Sequence, residues 1–136
     1  MKKKTVDSKT PSGVLAIKTL AMPGDANPNG DIFGGWVLSQ MDIAGGVTAC
    51  EMSMGRAVTV AVDSMSFHRP VLVGDVLCCY TELIRAGNTS LKIHIEAWVE
   101  RDFQHVKVTE GTFTYVAVDR DRRPRQLPNP LPGSSK

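Results

Sequence analysis

Between Thr89 and Arg101, in the run TSLKIHIEAWVER, apolar and polar positions alternate. Leu91, Ile93, Ile95, Ala97 and Val99 share one face; Lys92, His94, Glu96 and Glu100 share the other with Trp98. A period of two predicts a β-strand in a sheet buried on one side. Four more segments read as strands. VLAIKTLAM (Val14 to Met22) ends at Pro23 and Gly24; AVTVAVDSMSF runs from Ala57 to Phe67 and is closed by Pro70. DVLCCYTELIR (Asp75 to Arg85) and HVKVTEGTFTYVAVD (His105 to Asp119) complete the set. Gly74–Asp75 and Gly87–Asn88 mark turns short enough for antiparallel neighbours.

One apolar stretch breaks the pattern. From Gly35 to about Met54 there is no proline, and the run has helical length. At about 100° per residue, Val37, Met41, Ala44, Thr48 and Met52 form one stripe, and Trp36, Ile43, Val47, Cys50 and Met54 a second on roughly the opposite side. A helix apolar nearly all round is expected to be buried, wrapped by a curved sheet. Gly45 and Gly46 each lower helix propensity by ~1 kcal/mol relative to alanine, which points to close approach by a neighbouring element. Asp42 is the only charged residue from Gly34 through Cys50. One strand, one long helix and four strands make an α+β fold.

The chain has 136 residues, the size of a single domain with a real core. Residues 1–12 are expected to be a flexible N-terminal segment, residues 13–121 the domain, and residues 122–136 a Pro/Arg-rich tail. A net charge of +2 is too mild to imply nucleic acid. No secretory signal follows the basic start MKKK, and no stretch approaches the roughly 20 apolar residues that span a bilayer. Cys50, Cys78 and Cys79, an odd number, form no disulfide framework. A cytoplasmic protein with no membrane partner is the expectation.

Two features carry candidate chemistry. Free N–H groups at a helix start bind oxygen or anions, and the Gly34–Gly35 pair lets a ligand come close to the backbone. Such donors can stabilise the oxyanion of an acyl-transfer transition state. Asp42 follows about 10 Å further along the axis, where a water beside it could attack a bound carbonyl. Buried structural carboxylates are common too, and these residues alone leave both readings open. The histidines at 68, 94 and 105 lack metal-ligand spacing and read as surface residues; no metal is expected. Cys78 and Cys79 read as packing residues. Glu51 reads as solvated or paired, and Arg56, just past the helix, as a cap. No G-x-S-x-G elbow and no phosphate-binding GxxxxGK[ST] loop is present.

The run LAMPGDANPNGDIFGGWVLSQMDIAGG, followed by GRAVTVAVDSMSFHRPVLVGDVLCCY, IHIEAWVER and TFTYVAVD, resembles the YciA-type acyl-CoA thioesterases of the hotdog fold from Val14 to Arg125. The resemblance implies an antiparallel sheet wrapped around one central helix and hydrolysis of acyl-CoA to coenzyme A and a carboxylic acid. It implies a homo-oligomer: dimers with active sites at their interface, assembled into a trimer of dimers. Asp42 matches the family's general base or nucleophile. Asn27 matches an asparagine supplied by the opposite subunit, and the Gly35 N–H, helped by Gly34, the oxyanion donor. The turn Gly87-Asn88-Thr89-Ser90 matches the place where coenzyme A is held, although relatives vary at Asn88. Arg122 and Arg123 are candidates for its phosphates. Close relatives carry a short insertion around Arg101 to His105 that this chain lacks. No cofactor is implied, coenzyme A being part of substrate and product. A hydratase is disfavoured because NPNGDIFGG contains no histidine; the alternative is a non-catalytic acyl-CoA-binding or sensing protein.

Overall fold

A computed structural model of the chain describes residues 10–132; the outer parts of both expected terminal segments, 1–9 and 133–136, lie outside the described residues. The elements are β1 (Val14–Leu20), α1 (Gly34–Ser53), β2 (Ala57–Phe67), β3 (Val76–Ala86), β4 (Ser90–Arg101) and β5 (Gln104–Ala117). They form one antiparallel sheet in the order β1-β3-β4-β5-β2, and α1 packs against all five strands. This is the hotdog arrangement expected from the sequence. Two tight turns set the register of its centre. Gly87–Thr89 joins β3 to β4, and Asp102–Phe103, both left-handed with φ of 52° and 63°, joins β4 to β5.

The core lies between β4 and α1. Leu91, Ile93 and Ile95 meet the helix face formed by Val37, Met41, Ala44 and Ala49, all of them buried. Each of the larger of these side chains contributes roughly 1.5–3 kcal/mol when taken from water. Burial on one side of β4 holds as far as Ile95 and then fails, because Glu96 and Trp98 on the polar face are buried as well. The Trp98 indole N–H donates to Glu96 Oε1 at 2.9 Å, and the Ser12 backbone N–H donates to the same oxygen at 3.1 Å. A paired polar group can be buried where an unpaired one could not.

The helix also departs from expectation. Its first stripe is covered, but Ile43, Val47 and Met54 of the second are 52%, 42% and 72% exposed. β2 is an edge strand with Val58, Val60 and Val62 exposed. Five strands of one chain cover one side of a helix; the other side is left open. At the C-terminal end of α1, the left-handed residue is Met54, with φ 57°. The cap comes from Arg125 and not from Arg56. The Arg125 guanidinium donates to the Ser53 carbonyl at 2.9 Å and to the Arg56 carbonyl at 3.1 Å. A Cβ on Gly55 would lie 2.5 Å from Arg125 Nη2, so this glycine makes room for the cap.

One ion pair ties the loops together. Arg101 donates through Nε to Asp75 Oδ1 at 3.1 Å and through Nη2 to Oδ2 at 2.6 Å, and Nη2 also reaches the Pro70 carbonyl at 3.1 Å. The Leu72 N–H donates to Asp75 Oδ2 at 2.9 Å. Thus the 70–75 connection is pinned to the end of β4. That connection in turn holds the segment before the helix, through Ile32 N–H to the Val71 carbonyl at 2.9 Å and the Asp31–Leu72 bridge. Burial pushes the Asp75 carboxyl up, but the Arg101 hydrogen bonds, the Leu72 N–H and the Arg101 charge outweigh it and hold it below the ordinary 3.8. A depressed pKa stabilises the fold above the unfolded-state value and ceases to do so as pH falls through the native one. Asp75→Asn is expected to cost about 1–3 kcal/mol at pH 7. In thermal denaturation its deficit against the wild type should shrink as the pH is lowered past the ordinary aspartate value. A deficit that stays constant with pH would mean that charge plays no part.

Candidate active site

Asp42 has partners. Thr59 Oγ1 donates to its Oδ1 at 2.6 Å, and the Tyr115 hydroxyl donates to the same oxygen at 3.0 Å while lying 3.1 Å from the Asp42 backbone carbonyl. Thr59 and Tyr115 are register partners on β2 and β5, at the edge of a bulge between Thr59 and Ala61. The tyrosine ring is buried and stacks on Phe113 at 6.4 Å. Burial first, then the charge and hydrogen bond of Asp42, push the Tyr115 hydroxyl far above the usual phenol range, so it remains a donor. Thr59, by contrast, is exposed and Asp42 half-buried, so this side of the helix is open in a single chain.

The hydroxyl reaches Asp42 by passing over Gly45. A Cβ there would collide with the Tyr115 hydroxyl and lie 2.8 Å from its Cζ and 2.6 Å from Ile95 Cδ1. The close approach expected at the glycine pair therefore occurs at Gly45; at Gly46 a Cβ would meet nothing within 4 Å.

The helix start is uncapped by any side chain. Trp36 and Val37 N–H bond back to the Phe33 carbonyl at 3.1 and 3.4 Å, while the Gly34 and Gly35 N–H groups have no acceptor among the described residues. A Cβ on Gly35 would meet nothing within 4 Å; beside Gly34 the Phe67 ring lies 3.9 Å away. Two amides are thus without a partner among the described residues at the positive end of the helix.

Asn27 organises the loop before that helix. Its side-chain oxygen accepts from the Asn29 and Asp31 N–H groups at 2.9 and 3.1 Å, and its backbone N–H donates to the Asp31 carbonyl at 2.7 Å. The side-chain NH₂ is the group left to donate outward. Within one chain no hydrogen bond joins Asn27 to Asp42.

The second cluster lies at one end of the sheet. In the turn Gly87-Asn88-Thr89-Ser90, Gly87 N–H donates to the Ser90 carbonyl at 2.8 Å; the Thr89 carbonyl accepts from Ala117 N–H, and the Asn88 carbonyl from Leu127 N–H. Arg122 and Arg123 sit on a neighbouring turn, where Arg123 N–H donates to Asp119 Oδ1 at 3.0 Å, and both side chains are exposed. Leu91 is the register partner of Tyr115, so the turn ending at Ser90 starts one residue beyond the level of Asp42's tyrosine. The turn therefore follows on the strand position beside the tyrosine that holds Asp42.

Thr59 and Tyr115 were not singled out from the sequence, and Arg125, which there reads with Arg122 and Arg123 as a solvated tail or a phosphate contact, instead caps the helix. The one signal for Tyr115 was Gly45, a glycine inside a helix that asked for a close neighbour. Two further clusters have metal-ligand geometry, His94–Glu96–Glu110 and Cys78–Glu100–His105. In the first, the Lys107 ammonium lies 2.9 Å from Glu110 and 3.6 Å from Glu96, where a cation would go. In the second, Lys18 neutralises Glu100 at 3.6 Å, and burial raises the Cys78 thiol away from the thiolate a metal needs. Cys78 and Cys79 are both buried, and burial pushes the Cys79 thiol up to about 12, in keeping with packing roles.

A model of the thioesterase superfamily matches residues 29–102. The acyl-CoA thioester hydrolase YciA of Salmonella typhimurium is 54% identical over 129 residues, covering 91% of this chain and 96% of that protein. A hexameric thioesterase from Yersinia pestis superposes with a TM-score of 0.85 at 55% identity, covering 88% of this chain and 98% of the other. A hexameric hotdog-fold thioesterase of Campylobacter jejuni gives a TM-score of 0.82 at 39% identity, covering 87% and 92%.

Gly45→Ala tests the close approach. Helix propensity alone would stabilise it by ~1 kcal/mol, whereas overpacking against Tyr115 and Ile95 costs about 1–3 kcal/mol. A melting temperature several degrees below wild type is expected; an unchanged or higher one would mean that the contact is slack.

Proposed function

The chain belongs to the thioesterase superfamily, and from that premise we propose how its own residues hydrolyse acyl-CoA to free coenzyme A and a carboxylic acid. The observation that carries the reading is a single helix offering two unpartnered amides at its start and a hydroxyl-held carboxylate about 10 Å further on. The thioester oxygen lies against the Gly35 N–H, assisted by Gly34, where negative charge develops in the transition state. Asp42 takes a proton from a water as its oxygen bonds to the carbonyl carbon. The resulting oxyanion collapses, the C–S bond breaks, and the thiolate of coenzyme A leaves and is protonated. In the alternative route Asp42 attacks first, giving a mixed anhydride that water then opens. Solvent ¹⁸O appearing in Asp42 after a single turnover distinguishes direct attack from general-base catalysis.

A complete site needs two chains. The open side of α1 and the open edge of β2 expose Ile43, Val47, Val58, Val60 and Val62, and a second copy laid against them would cover this apolar surface and shield Asp42 and its reacting water from bulk solvent. In that dimer the partner's Asn27 supplies its side-chain NH₂ to the water or carbonyl. The hexameric state of the Yersinia and Campylobacter proteins supports a trimer of dimers here. The turn Gly87–Ser90 holds the pantetheine or diphosphate, with Arg122 and Arg123 at the phosphates. Side chains, backbone and water are all the mechanism uses. Among the described residues no helix is long and apolar enough to cross a membrane, and free thiols suit a reducing cytoplasmic setting.

Asp42→Asn should reduce thiol release from acyl-CoA by several orders of magnitude while coenzyme A still binds. Binding without turnover in the wild type would favour the sensing protein instead. Co-expressing Asp42→Asn with Asn27→Ala should restore about a quarter of wild-type activity, because half of randomly formed dimers are mixed and each mixed dimer has one intact site. No restoration would place both residues in one subunit's site. Changing Arg122 and Arg123 together to alanine should raise KM for acyl-CoA but not for an acyl-pantetheine; equal effects would exclude a phosphate contact.

A further inference from the structure

We infer that Tyr115 is a positioning residue for the Asp42 carboxylate: with Thr59 it anchors Oδ1 and thereby reserves Oδ2 for the reacting water or thioester. This rests on the reading of Asp42 as the reacting group. Both hydrogen bonds to the side chain end on Oδ1, at 2.6 and 3.0 Å, and Oδ2 accepts none among the described residues. Two donors on one oxygen fix the carboxylate plane and leave Oδ2 as the oxygen free to meet the reacting group. The donors arrive from two different strands that are themselves locked in register, Thr59 opposite Tyr115, so the carboxylate is held by the sheet and not only by its own helix. The tyrosine has no freedom to leave: its ring is buried against Phe113, and it crosses the helix at Gly45, where there is no Cβ to block it. Burial and the neighbouring carboxylate keep the hydroxyl protonated, so it remains a donor. The single hydroxyl proton is shared with the Asp42 backbone carbonyl at 3.1 Å, so the tyrosine holds the residue's main chain as well as its carboxylate.

Tyr115→Phe removes the donor and keeps the ring. Thiol release measured across acyl-CoA concentration should show kcat lower by about ten- to a hundredfold, with KM within twofold of wild type. In an Asp42→Asn background the same change should leave the residual rate where it is, because there is no carboxylate to position. Thr59→Val, which removes the other donor and leaves the tyrosine, should show the same split between kcat and KM, and it carries the test if Tyr115→Phe fails to fold. An unchanged kcat in these variants, or an equal fall in the presence and absence of the Asp42 carboxylate, would overturn the inference. Full activity of Asp42→Asn by itself would instead overturn the catalytic reading on which it rests.

Discussion

A carboxylate on an apolar helix must be hydrogen-bonded, since an unpaired charge taken from water costs several kcal/mol. Much of the architecture around α1 follows from meeting that demand at Asp42. The donors stand on β2 and β5, so those strands must pair in the register that sets Thr59 opposite Tyr115. The tyrosine must cross the helix, so residue 45 must lack a side chain. Phe113, two residues before it on the same inward face, supplies the stacking wall. Satisfying one acid therefore constrains two strands, a glycine and an aromatic pair.

A second constraint acts on the loop that leads into the helix. The Gly34 and Gly35 amides can serve a ligand only if the segment before them is rigid, because a frayed helix start has no fixed direction. Rigidity comes from Asn27 below and from the 70–75 connection above, which Arg101 clamps through Asp75. The clamp is far from the chemistry in sequence, yet it fixes the backbone against which the loop is strung.

The strands, the helix, their order and the strangeness of Asp42 were legible in the sequence because each is a local pattern: period two, period 3.6, a lone acid. The hotdog identity was legible from an ordered run of motifs. What stayed hidden depends on contacts distant in the chain. Tyr115 lies 73 residues from Asp42, and nothing in TFTYVAVD says which hydroxyl crosses to the helix. Arg125 sits in a stretch whose composition reads as loose, yet it caps the helix through carbonyls on Ser53 and Arg56. Trp98 and Glu96 obeyed strand parity and were buried all the same, because they pair with each other and with Ser12. An apolar helix face, finally, does not state which chain will cover it.

That last ambiguity joins stability to chemistry. In one chain Thr59 and the second stripe of α1 face solvent, and water around Asp42 would compete for its hydrogen bonds and weaken the field of the helix start. In the proposed dimer the apolar residues that drive association, Ile43 and Val47 among them, stand one and five positions after Asp42 on its own helix. Association that buries them also lowers the dielectric around the carboxylate and brings the partner's Asn27 to it. Burial of apolar area then does two things at once: it holds the subunits together, and it creates the dry, preorganised surroundings in which two backbone amides and one oriented oxygen suffice to open a thioester. In the proposed dimer assembly is therefore part of the catalytic apparatus and not merely its support, because a single chain would lack both the partner's asparagine and the exclusion of bulk water.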